Sequence, residues 1–241
     1  MSISHYSYKY GHGSKEFSLE SDRVIKEVTV AKMPLLEDVK AAILDAVYHP
    51  IGSAPINELV KPGQKIAFIC NDPTRVANSF VFMPILVNEM NKLGIKDEDM
   101  HIVFALGTHR NMTHEEMVEA VGAEVAGRLK MYNSDAKVSE DFEYFGDTSR
   151  GTPVWLNKHI CHVDHVIMTG TIVHHYFSGY GGGKPFCRVL QLWKPYVSTT
   201  ALCWILMQVW VKLSAILFMK TKWKVWPCLP KTIPYFFLMR S

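Results

Sequence analysis

Three short apolar runs constrain the fold of this chain more than anything else in it. They are IAFIC at 66–70, HIVFAL at 101–106 and DHVIM at 164–168, and each reads as a buried strand. Helical patterns lie between them. Residues 36–48 carry apolar positions at helical spacing, with Pro34 before and Pro50 after. Residues 76–93 read as a second helix, and Thr113 with Glu116 forms a capping box that opens a third, running through Val121. Strands alternating with helices predict an α/β fold, a Rossmann-like parallel sheet with helices on both faces. Ahead of it, residues 6–19 alternate around Gly11 and Gly13 as a hairpin would, and residues 24–30 alternate like a strand.

In parallel sheets, ligands sit beyond the carboxyl ends of the strands. All three buried runs end there in polar, reactive loops, which would converge on one crevice. The first loop is Asp72, Pro73, Thr74 and Arg75, where a strand hands over to a helix N-terminus. Free amides and the helix dipole favour an anion at such a place, and Arg75 can grip a carboxylate or phosphate bidentately. The plain alternative for Asp72 is a helix cap. The second loop is Gly107, Thr108, His109 and Arg110. Gly107 lets the backbone bend and present His109, whose plain alternative is a loop histidine capping the next helix. The third loop holds His174, His175, the glycines 179 and 181–183, and Lys184. Histidine supplies a base near neutral pH, glycines let amides approach a phosphate or cofactor, and lysine pairs with an anion or serves as a covalent attachment point.

A length of 241 residues and a hydrophobic fraction of 48% allow one large domain or two small ones with a real core. The net charge of +3 hides a split. Every Asp and Glu lies at or before Asp164, whereas residues 181–241 hold nine Lys and Arg, five of the six Trp and three of the five Cys. Cys70 and Cys161 alone in the first part suggest a reducing compartment, and the N-terminus lacks the apolar stretch of a signal peptide, so a cytoplasmic location is expected.

The order D-x-T-R, then G-T-H-R, then H-Y-F-x-G-Y-x-G-G resembles the nickel-pincer-nucleotide-dependent lactate racemases, a family of 2-hydroxyacid racemases and epimerases. The likeness spans roughly residues 6–184. It implies a nickel-pincer nucleotide cofactor, a pyridinium-3-thioamide-5-thiocarboxylic acid mononucleotide holding nickel, tethered to a lysine and therefore to Lys184. It implies that Asp72, Pro73, Thr74 and Arg75 hold the cofactor, with Arg75 also near the substrate carboxylate. His109 and His175 would be two catalytic bases on opposite faces of the substrate. One removes the hydroxyl proton while the α-hydrogen moves as hydride to the pyridinium. His175 is preferred because H-Y-F-S-G-Y aligns there without a gap. His174 is the second choice, because Lys184 stands ten residues after it, as in the family. The implied partner is a small 2-hydroxyacid, with no nucleic acid and no membrane.

After Lys184 the family continues with K-A-I-L-P-G, an N-H that supplies a nickel ligand, and a second domain, and this chain has none of these as written. Reading each codon one base upstream restores much of it. Pro185 to Val189 then permit A-[IV]-L-P-G, Trp193 to Tyr196 permit M-E-T-I, Thr199 and Thr200 permit N-H, and residues 204–212 permit D-P-D-A-G-V-G-K. Residues 1–183 are therefore expected to be the racemase-like N-terminal domain. Residues 184–241 are expected to be an out-of-frame tail that brings no metal ligand and does not continue the sheet. Residues 201–219 are apolar and long enough for a membrane span, but Gln208 and Lys212 near the middle argue against one. The competing readings are a non-catalytic nucleotide- or phosphate-binding module tethered by that tail, and an inactive fragment.

Overall fold

The computed structural model describes residues 2–26, 36–51, 53–75, 77–147 and 153–171, together with the backbone of 174–175, 179–180 and 235–240. The chain divides into two compact units, Met1–Glu37 and Asp38–Ser241.

The first unit is the expected hairpin. β1 (Ile3–Tyr10) pairs antiparallel with β2 (Gly13–Glu20), and the turn uses Gly11 at φ +59°. Phe17 stacks on both Tyr6 and Tyr8, with ring centroids 5.5 and 5.3 Å apart. Of the strand expected at 24–30, residues 24–26 are not in a strand and the remainder lies outside the described residues.

In the second unit, α1 (Val39–Tyr48) starts on Asp38, whose carboxylate accepts from the Ala41 amide at 2.8 Å. The short α2 (Ile56–Leu59) precedes β3 (Ile66–Asn71). Then come α3 (Ser79–Lys92), β4 (Met100–Gly107), α4 (His114–Val121), α5 (Ala123–Ala126) and β5 (Lys130–Asp135). The ribbon of β6 (Phe142–Asp147) and β7 (Pro153–Asn157) leads to α6 (Lys158–Cys161) and β8 (His165–Thr171), followed by the two-residue strands β9 (His174–His175) and β10 (Gly179–Tyr180). The last described element is β11 (Tyr235–Arg240).

Five strands form one sheet in the order β11-β8-β3-β4-β5, and every neighbouring pair is parallel. β3 is central, and its residues alternate between two cores, as the pleat requires. Ile66, Phe68 and Cys70 face Ile102, Phe104, Met83, Leu86 and Val121 under the helices α1 to α5. Ala67 and Ile69 face Val103, Ala105, Val166 and Met168, covered by Val154 and Leu156 of β7 and Ile160 of α6. Helical and ribbon layers thus bury both faces, which is why the three strand sequences are unbroken apolar runs. α3 begins three residues later than its periodicity suggests, after Asn78 at φ 53°. It carries Pro84 in its second turn, where the missing amide forgoes one helical hydrogen bond.

The tail departs from its expected behaviour. Its composition predicts that it stays out of the sheet, yet β11 pairs in parallel with β8, from Tyr235 opposite Val166 to Arg240 opposite Thr171. The run YFFLM is aromatic and apolar enough to add to the otherwise open edge of β8, a preference that local composition alone supplies. The rest of 181–234 lies outside the described residues.

Candidate active site at the carboxyl ends of the strands

β8, β3 and β4 lie side by side, so the loops leaving their carboxyl ends start from one edge of the sheet, as the sequence predicts. After β3, Asp72 folds its loop into an Asx turn. Its Oδ1 accepts from the Thr74 amide at 2.7 Å and also from the Thr74 hydroxyl. The Arg75 amide donates to the Asp72 carbonyl at 3.1 Å, closing the turn. Pro73, Thr74 and Arg75 are exposed. Among the described residues, no carboxylate lies within ion-pair distance of Arg75, so its guanidinium is available to an anionic ligand.

After β4, Gly107 takes φ +61°, a conformation that side-chain-bearing residues rarely adopt. This lets the His109 amide donate back to the Leu106 carbonyl at 3.1 Å. The turn brings His109 Nδ1 to 3.4 Å from Asp72 Oδ2. The first two sequence-predicted loops therefore meet, joined through Asp72 and His109. His109 is half-exposed at 47% of its side chain, whereas Asp72 retains 11%. The ring is open to a ligand while its partner is shielded.

Two further residues hold this loop: Arg110, which the sequence places in it without a role, and Asn133, which the sequence does not single out. Arg110 forks onto Glu116, with Nη1 donating to Oε2 at 2.7 Å and Nη2 paired with Oε1. The same Glu116 Oε2 accepts from the Thr113 amide at 2.9 Å, and Thr113 Oγ1 accepts from the Glu116 amide at 3.3 Å, completing the predicted capping box. Asn133 of β5 clasps Met112 by donating to its carbonyl at 3.0 Å and accepting from its amide at 3.2 Å. A lone Asn in a polar strand carries no sequence signal for this role.

The hydrogen bonds from Arg110, and then the Thr113 amide, hold the Glu116 carboxyl down at about 2. A free Glu titrates at about 4.3. Because the folded value is the lower one, the stabilisation of this anchor is fully present above the ordinary value and is lost as pH falls from about 4.3 through about 2. A carbon-detected NMR titration should find the Glu116 midpoint near 2, and Arg110→Ala should return it toward 4. A wild-type midpoint already at 4 would show that the anchor does not form.

Cys70, at the end of β3, is fully buried, and burial pushes its thiol up to about 12. It stays a neutral core group. Thr169 of β8 donates to the Ile69 carbonyl at 2.9 Å and ties the two strand ends together. His174 and His175 form β9, whose backbone pairs with β10, His175 opposite Gly179 and His174 opposite Tyr180. Their side chains, and Lys184, lie outside the described residues. Among those described, no three His, Cys, Asp or Glu gather as a metal-ligand set, and no helix is long and apolar enough to cross a membrane. For a nucleotide cofactor, the fitting features are the exposed Arg75 and the first turn of α3, whose cap residue Asn78 makes no side-chain hydrogen bond to it.

A parallel α/β sheet with charged and histidine-bearing loops at its carboxyl edge defines a ligand-binding domain of the Rossmann-like class. The lactate racemase N-terminal domain profile matches residues 10–185, and the chain belongs to that family. It is 27% identical over 177 residues to the lactate racemase of Thermoanaerobacterium thermosaccharolyticum, covering 73% of this chain and 41% of the relative. It is 29% identical over 136 residues to the lactate racemase of Lactiplantibacillus plantarum, covering 56% and 32%. The chain thus spans less than half the length of the curated relatives it matches. The fold is similar to the solved lactate racemase apoprotein from T. thermosaccharolyticum, with a TM-score of 0.70, 24% identity, and coverage of 83% of this chain and 47% of that one. It is also similar to a protein from Thermotoga maritima, with a TM-score of 0.57, 18% identity, and coverage of 77% and 46%.

Proposed function

We propose that this chain carries the N-terminal domain of a racemase or epimerase of a small, lactate-like 2-hydroxyacid. The observation that carries the reading is the meeting of the D-P-T-R and G-T-H-R loops through Asp72 and His109, at the edge of a domain whose family is that of the lactate racemases. Arg75 would grip the substrate carboxylate, and Asp72 to Arg75 would hold a nickel-pincer nucleotide that Lys184 would tether. When bound, that cofactor supplies the hydride acceptor. The chain's own histidines move the other proton. His109 takes it from the hydroxyl of one enantiomer and His175 from the other, and each returns it when the reaction runs the opposite way. The protein works in the cytoplasm.

Residues from about 184 onward are read as translated out of frame, on the strength of the codon relationships and the loss of every acidic residue there. Resequencing the DNA around codons 180–186 tests this directly. A frame-restored protein produced with its cofactor should interconvert D- and L-lactate or a close 2-hydroxyacid. No interconversion of any such acid by cofactor-loaded protein would overturn the proposal.

A further inference from the structure

We infer that Asp72 is a positioning residue that fixes His109 as the Nδ1–H tautomer and leaves Nε2 as the free base. The two carboxylate oxygens have separate tasks. Oδ1 is taken by both Thr74 donors, which pins the carboxylate plane and leaves Oδ2 for the imidazole at 3.4 Å. A carboxylate only accepts, so a proton on the nitrogen that approaches it is the favoured arrangement. The distance is long for a hydrogen bond, as catalytic contacts commonly are before substrate binds. The shielding of Asp72 beside the half-exposed ring favours the directed contact over a solvated one. This assigns Asp72 a task within the chain beyond any contact with a cofactor. Its catalytic meaning rests on His109 being the base of the proposed function. The tautomer itself does not.

The test is a long-range proton–nitrogen NMR correlation of the full chain, without cofactor or substrate. It is run at alkaline pH, where the neutral tautomers are read. His109→Gln identifies the signal by its loss. The expected wild-type pattern is a protonated Nδ1 and a bare Nε2. Asp72→Asn keeps the Asx turn, since its amide oxygen still accepts from Thr74. Its NH₂ must then face His109, which forces the imidazole to accept at Nδ1 and protonate Nε2, the opposite tautomer. Thr74→Val removes the hydroxyl donor but keeps the carboxylate, and should retain the wild-type pattern. A wild-type His109 already in the Nε2–H form, or an Asp72→Asn spectrum unchanged from wild type, would overturn the inference. Because nothing in this measurement depends on racemisation, a restored protein that fails to turn over lactate would leave the tautomer result standing.

Discussion

Replacing either His109 or His175 with alanine in the frame-restored protein should slow racemisation by about 10²-fold or more in both directions. In barrier terms that is about 2.7 kcal/mol or more. In the proposed mechanism each turnover uses one histidine as base and the other as acid, and the equal energies of the two enantiomers tie the two directions together, so both must slow alike. His114, exposed at the start of α4 five residues beyond His109, is the internal control. His114→Ala should leave both rates unchanged. Equal losses from His109→Ala and His114→Ala would mean that the loop, and not the imidazole, is being measured.

The largest stability effect is expected at Phe68. It sits at the middle of the central strand, opposite Ile102 on β4 and Ile167 on β8, with no exposed surface. Its ring fills the space between the sheet and the α3 layer, so Phe68→Ala removes the transfer energy of the ring and leaves a cavity. The expected cost is about 3–5 kcal/mol, against a total stability of about 5–15 kcal/mol for a typical domain. Phe68→Leu, which keeps more of the volume, should cost markedly less. Urea unfolding of the two variants measures the difference. A loss below about 1 kcal/mol for Phe68→Ala would mean that this face of the sheet is not packed. Because β3 delivers Asp72 to the edge, a severe loss at this position also disperses the site.

The parts of this architecture that are legible in the sequence are those where a single physical demand fixes the residue pattern. β3, β4 and β8 are buried on both faces, and only unbroken apolar runs satisfy that. The capping box at Thr113 and Glu116 is legible because two side chains at fixed spacing serve two amides. β5 is not legible. It pairs on one side only, and KMYNSD carries no apolar run, its placement depending on pairing with β4 rather than on its own sequence. The β6–β7 ribbon is hidden for the related reason that its cover of Val154 and Leu156 is too short to stand out. At the site, His109 and Asp72 are visible as residue types at strand ends. Their mutual contact, the Arg110 fork and the Asn133 clasp are not, because each depends on which strands become neighbours. β11 shows the opposite hazard. A run with strong strand preference joins an open edge whatever its origin.

The fate of the α-hydrogen tests the proposed chemistry most directly. Lactate deuterated at the α-carbon, supplied to the frame-restored and cofactor-loaded protein in ordinary water, should yield the opposite enantiomer with its label retained, because the histidines handle only the hydroxyl proton and the α-hydrogen never meets solvent. Product that has exchanged its deuterium for solvent hydrogen during turnover would show a base taking the proton from carbon, and would contradict the roles of His109 and His175 as bases for the hydroxyl proton alone.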